Sequence, residues 1–321
     1  MKPTLPKGIP KGVKDALRRA LAYGAFGFIT TLLFVYLTFP WDAVRAQIES
    51  GLERSLRSSD GTTFQVAIGK LEPSWFTGIV LKQVVISAHD PRAPDAAPDA
   101  LLIPQLSARL ELLPLLRGHK SASFAVKVAG GETTGRLELG KAKDGVTFDV
   151  AKLDLTKAHD VLAVAGKLIG ADLASLDIAG TLSAHAVLEL KPGDLTTLDG
   201  TIQAGLDQAI LKGGKVGELD LPQVGLGRLE LEMAAGGGKL DVHKLVVHGD
   251  DLDVTGDGVY LMLNRVFAYS SPHGKLKIHF GPDLLKRIPY LGMALNALPP
   301  PDREGNYNLP LAGTLRSPRF M

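Results

Sequence analysis

The sequence predicts a mainly β protein: a single N-terminal transmembrane helix, then a curved, largely antiparallel meandering β-sheet with a few short helices. Three observations predict it. Residues 20–40 carry no charged side chain. From Thr62 onward apolar and polar residues alternate with a period of two. Glycines interrupt that alternation at short intervals, as turns and bulges require.

The anchor comes first. At a helical rise of about 1.5 Å per residue, roughly 20 apolar residues cross the hydrocarbon core. Lys2, Lys7, Lys11, Lys14, Arg18 and Arg19 precede the span, against Asp15 alone. The positive-inside rule makes 1–19 a basic cytoplasmic tail, 20–40 the anchor, and everything after Trp41 exported. Tyr36 and Trp41 suit the far interface. A cleaved signal peptide is the rival reading. Its apolar region usually runs 7–15 residues and ends at a small-x-small site. This run is longer and ends in Leu37-Thr38-Phe39-Pro40-Trp41, so it reads as uncleaved.

Residues 41–60 read as a juxtamembrane helix, because Val44, Ile48, Leu52 and Leu56 form one stripe on a 3.6-residue period. It would lie on the bilayer, cap the next domain or simply continue the anchor. Residues 61–321 form the β domain. Phe64, Val66 and Ile68 alternate with Gln65, Ala67 and Gly69, and a turn at 73–78 leads into 79–87, a hairpin pattern. His89 to Ala100 reads as a loop. Leu106 to Leu112 alternate again, and strands follow near 121–129, 132–140 and 145–150. Thr156 to Leu162 opens a short helix. Alternation then dominates from 173 to 281.

Residues 282–298 look helical, with Leu284, Ile288, Leu291 and Leu295 on one face and a kink at Pro289. Tyr307 to Leu311 and Gly313 to Leu315 close the chain as two strands. Gly180-Thr181-Leu182, Gly200-Thr201-Ile202 and Gly313-Thr314-Leu315 are weakly self-similar, with Val254 to Val259 a looser version. Such spacing suits a long sheet of meandering strands. Gly-Thr is also common in any β protein.

Composition excludes several classes. The formal net charge is +2. With six basic residues ahead of the span, the exported part is slightly acidic, which argues against nucleic acid. There is no cysteine, hence no thiol catalysis and no thiolate metal site. Aromatics make up 6%, which favours thin repetitive β-structure over a bulky core.

No residue set stands out as catalytic, cofactor-binding or metal-binding. His243 and His248 fall on opposite faces by strand alternation. His273 and His279, six apart, could share a face but read as exposed strand histidines. Asp250, Asp251, Asp253 and Asp257 are the best calcium candidate. They lack EF-hand spacing and its closing Glu, so a polar hairpin turn is the simpler reading. Gly236-Gly237-Gly238-Lys239-Leu240 lacks the phosphate-loop pattern, and neither a Gly-x-Ser-x-Gly elbow nor His-Glu-x-x-His occurs. The chain reads as a non-enzyme without cofactor.

Three segments carry a family resemblance: Glu72 to Ile79, Leu106 to Gly118 with its Pro114-Leu115-Leu116-Arg117-Gly118 turn, and Asn306 to Phe320. With one anchor and this length, the chain resembles the protein N family of the bacterial type II secretion system and the wider AsmA-like superfamily. The resemblance spans nearly the whole chain, but its motifs are short and apolar. It implies a single-pass inner-membrane protein whose bulk lies in the periplasm, and it brings no catalytic residue. It further implies an assembly role among other type II secretion proteins, either the inner-membrane platform or the secretin. Edge-strand addition would supply affinity without special side chains. The alternative is an AsmA-like lipid-binding or lipid-transfer module with an apolar groove. An open apolar trough would favour lipid and a filled core a scaffold. A homo-oligomer is a further expected partner state.

Overall fold

In the computed structural model, residues 38–56, 61–74, 77–89, 97–111, 114–115, 120–140, 142–169, 176–216, 219–288, 295, 299–315 and 317–320 are described, with positions 23, 26, 27, 30 and 34. Two compact units emerge, Met1–Gln47 and Ile48–Met321. In the first, Tyr23, Phe26, Gly27, Thr30, Phe34 and Thr38 are helical, and Tyr23, Phe26 and Phe34 are exposed. Most of the predicted span lies outside the described residues. Among those described, no helix is long and apolar enough to cross a membrane.

The second unit is built on an antiparallel meander. Its strands are β1 (Thr63–Ser74), β2 (Gly78–His89), β3 (Asp99–Leu110), β4 (Lys120–Val128), β5 (Gly131–Leu139), β6 (Asp144–Asp154), β7 (Leu176–Lys191) and β8 (Asp194–Val216). Then come β9 (Leu219–Leu221), β10 (Val224–Gly236), β11 (Lys239–His248), β12 (Leu252–Met262), β13 (Ser271–Phe280), β14 (Tyr307–Thr314) and β15 (Ser317–Phe320). They form one 15-stranded sheet in sequence order, with β9 a side branch on β8. Pro222 has no N–H to give to a ladder, which separates β9 from β10.

The alternation read from the sequence becomes two faces. One row runs Leu81, Leu106, Val126, Thr133, Val150, Ala184, Ala204, Leu231, Leu245 from β2 to β11. The adjacent row runs Val80, Ser107, Ala125, Thr134, Asp149, His185, Gln203, Glu232, Lys244. Neighbouring residues in a strand face opposite ways, so one face is apolar and the other polar.

Three helices cover parts of this sheet. Helix α1 (Trp41–Ser55) has Asp42 in its first turn and Arg54 in its last, matching the helix dipole. Its Ile48 and Leu52, with Leu56, pack on Val66, Ile68, Leu81, Val84 and Ile103. Residues 48–56 therefore cap the sheet, one of the three readings of this helix. Helix α2 (His159–Ile169) follows a 3₁₀ turn at Leu155–Lys157, where Asp154 accepts from the Thr156 N–H. Its Val164 joins Phe64 and Ala88 in a second cluster. Helix α3 (Pro282–Arg287) buries Leu284, and Ile288 just after it, against Val224, Leu211, Leu226, Leu252 and Phe280.

Several expectations change. The predicted helix 282–298 stops at Arg287, because a residue before proline is pushed out of the α region. Ile288 accordingly has φ −121° and ψ 79°. Leu295 is helical and buried, while Leu291 lies outside the described residues. Tyr307 to Thr314 is a single strand, and the final strand starts at Ser317 rather than Gly313. Strand β3 begins at Asp99, inside the expected loop. Of the turns and bulges that the self-similar glycines could mark, Gly180 (φ +142°) and Gly200 (φ +131°) are interruptions within β7 and β8.

Candidate functional site

The candidate surfaces are the two sheet faces and the two sheet edges. On the apolar face, the central row from Leu106 to Leu245 is half-buried at every position. At about 4.8 Å per strand, that row is roughly 34 Å long. A parallel row sets Phe124 beside Gly135 and Phe148. A Cβ at Gly135 would lie 2.4 Å from Phe124 Cζ, so glycine is what admits the ring. Buried clusters lie at β1–β3 under α1, at β6–β8 where Val161 of α2 packs with Leu153, Leu206 and Ala209, at β8–β13 under α3, and among Ala235, Leu240 and Leu261, while the central row is half-buried.

On the polar face lie two depressions. One, of about 750 Å³, spans β2 to β6 and is lined by Ser107, Ser123, Thr134, Thr147, Arg109 and Arg136 among others. The other, of about 370 Å³, lies over β7 to β11 beside His185, Gln203, Glu230 and Lys244. Ile79, Val80 and Phe124 also line the first and Val150 and Leu231 the second, so both concavities have mixed linings, neither purely polar nor the purely apolar trough that the lipid alternative expects.

Charge on this face is paired across strands. Arg136 clasps Glu111, with Nη2 at 2.6 Å from Oε1 and 2.8 Å from Oε2. Ser121 Oγ donates to the same carboxylate at 3.1 Å. The guanidinium, more than the hydroxyl, holds the Glu111 carboxyl below its ordinary value. Glu72 lies between Lys70 (2.6 Å) and Lys82 (2.7 Å), whose hydrogen bonds lower its pKa to about 2. Both carboxylates titrate lower folded than unfolded. Their contribution is thus complete above the ordinary carboxylate range and lost as pH falls through the depressed values.

The predicted candidates separate. Asp251 Oδ2 accepts from the Gly225 N–H at 2.7 Å, and Oδ1 pairs with Arg287. The Gly225 N–H first, then Arg287, holds its carboxyl down. Arg287 also donates to the Gln223 carbonyl at 2.9 Å. Asp251 is therefore a joint between α3 and the start of β10. Asp253 pairs instead with His248 Nδ1 at 2.6 Å, and Asp250 and Asp257 are exposed. Among the described residues no group of His, Asp and Glu could hold a metal ion. A chelator is expected to leave the melting temperature unchanged. A calcium-dependent rise of several degrees, lost in Asp251→Ala with Asp253→Ala, would overturn that.

The histidines show why alternation alone misleads. The β10–β11 register jumps from Glu232↔Lys244 to Met233↔Val242, leaving His243 as the extra residue of a bulge. Parity changes there, and His243, Lys244 and His248 are all exposed. His243 and His248 therefore share the polar side rather than opposite faces. His273 stacks on Tyr260 at 4.9 Å and 17°.

The two edges differ. At β1 the Val66 N–H donates to Glu53 Oε1 at 3.0 Å and the Ile68 N–H to Glu49 Oε1 at 2.8 Å. The sequence reading missed both carboxylates; their signal was a Glu pair four apart beside the apolar stripe. At the other end β15 is a four-residue strand on β14, and among the described residues no strand pairs with its outer side. No family model, no curated protein and no solved structure matches this chain.

Proposed function

We propose that the protein is an accessory or assembly component of the type II secretion system. It is held in the inner membrane by residues 20–40, and its β domain binds partner proteins in the periplasm without catalysis. The observation that carries the binding mode is the asymmetry of the sheet edges: one is sealed by Glu49 and Glu53, the other ends in short β15. A β-edge recruits an extended segment through backbone hydrogen bonds. The secretion assignment is supported by the resemblance of Glu72 to Ile79, Leu106 to Gly118 and Asn306 to Phe320.

Two experiments test topology and role. An alkaline phosphatase fused at the C-terminus should be active in a Gram-negative host. Deleting the chain in its native host should trap type II substrates in the periplasm. An inactive fusion contradicts the topology, and unchanged secretion contradicts the role.

A second reading, an AsmA-like lipid-binding or lipid-transfer module, is favoured by the half-buried apolar row Leu106 to Leu245. Lipid that co-purifies with the parent chain and is lost in Val126→Asp with Leu231→Asp would favour it.

A further inference from the structure

We propose that Glu49 and Glu53 form a lock on the β1 edge, and that the occupant they exclude is the β1 strand of a second copy of this chain. The two repeats fit each other. Residues four apart on a helix are about 6 Å apart along its axis, and residues two apart on a strand about 6.8 Å. A Glu pair at i and i+4 therefore serves alternate N–H groups of a neighbouring strand. Glu53 meets Val66 and Glu49 meets Ile68, so α1 runs antiparallel to β1. The apolar stripe Ile48, Leu52 and Leu56 holds the helix in that register.

The sealed segment is self-complementary. The N–H groups of Val66 and Ile68 point away from β2, and by strand alternation so does that of Phe64. Two such edges related by a twofold axis meet antiparallel. With Val66 opposite Val66 of the second copy, Phe64 falls opposite Ile68, and every outward N–H gains a carbonyl. The side chains then match as well. Phe64, Val66 and Ile68 are buried on one side, while Gln65 and Ala67 lie between them, so apolar meets apolar across the junction. An unsealed edge of this kind is a template for self-pairing. The carboxylates close it by occupying its donors.

The test uses the full chain in detergent. In the parent, the Val66 and Ile68 amides should be protected from hydrogen exchange. Glu49→Lys with Glu53→Lys replaces acceptors by pure donors. It should produce a concentration-dependent doubling of mass by light scattering. Glu49→Gln with Glu53→Gln keeps an acceptor at each site and should remain at the parental mass. If charge reversal prevents folding, Glu49→Ala with Glu53→Ala is read in the same way. Unprotected Val66 and Ile68 amides in the parent overturn the proposal. So does a lysine or alanine pair that stays folded at the parental mass at every concentration.

Discussion

A chain carrying Leu284→Asp and Ile288→Asp is expected to lose its folded β domain. Leu284 and Ile288 are 3% and 5% exposed and fill a cluster with Val224, Leu211, Leu226, Leu252 and Phe280. Burying one such side chain contributes roughly 1.5–3 kcal/mol, so the pair contributes roughly 3–6 kcal/mol. Desolvating two carboxylates adds to the loss. Against a stability of about 5–15 kcal/mol for an ordinary domain, that is a large share of the margin. Helix α3 spans only Pro282–Arg287, too short to persist alone, so its helicity depends on this docking and on the Asp251–Arg287 joint. Thermal melts of the chain should lose the cooperative transition or shift it down by many degrees. An unchanged melt with impaired secretion would instead make this face a contact surface.

Gly200→Ala should be the next most damaging substitution. Gly200 has φ +131° in the interior of β8, where an L side chain is strained. A Cβ there would lie 2.0 Å from the Val187 carbonyl oxygen. That atom belongs to the β7–β8 ladder, where Leu188 pairs with Gly200, so it cannot swing aside as a side-chain tip could. Left-handed strain and overpacking together predict a loss of roughly 2–4 kcal/mol. Urea melts should show a lowered midpoint. Gly193→Ala is the control. Gly193 also has positive φ, but at +76° it lies nearer the left-handed region and a Cβ there meets nothing within 4 Å, so a smaller loss is expected there on both counts. Equal losses in the two variants would contradict the clash with the Val187 carbonyl.

The strands were legible because a half-buried strand writes its two faces directly into alternate residues. Phe64, Val66 and Ile68 announced β1, and Leu106 and Val126 fell on the face their parity required. Bulges at glycines were legible, as the register shifts at Gly180 and Gly227 show, but a bulge without glycine was not. His243 is an ordinary residue, and only the partner strand shows that it is the extra one. At Gly180 and Gly200 the sequence left turn and bulge open, because a glycine that ends a strand and one that bends it look alike; both lie within strands. The kink expected at Pro289 is a full break: the helix ends at Arg287 and Ile288 leaves the helical region, while Leu295 beyond it is helical. Asp250 and Asp251 were legible as a turn while Asp253 and Asp257 lie in β12, and the use of Asp251 depends on Arg287, 36 residues away. The Glu49 and Glu53 pair shows the same limit. The apolar stripe of α1 could be read, whereas the donors it serves lie on a strand that must first be placed.

The edge asymmetry is tested most directly by photo-crosslinking in the native host. A reactive residue replaces Ser317 in β15, or Gln65 in β1, in otherwise unchanged protein. The account predicts a discrete crosslink to a component of the secretion machinery from position 317 and none from position 65. A crosslink from position 65 alone, or none from 317 while secretion is intact, would contradict it.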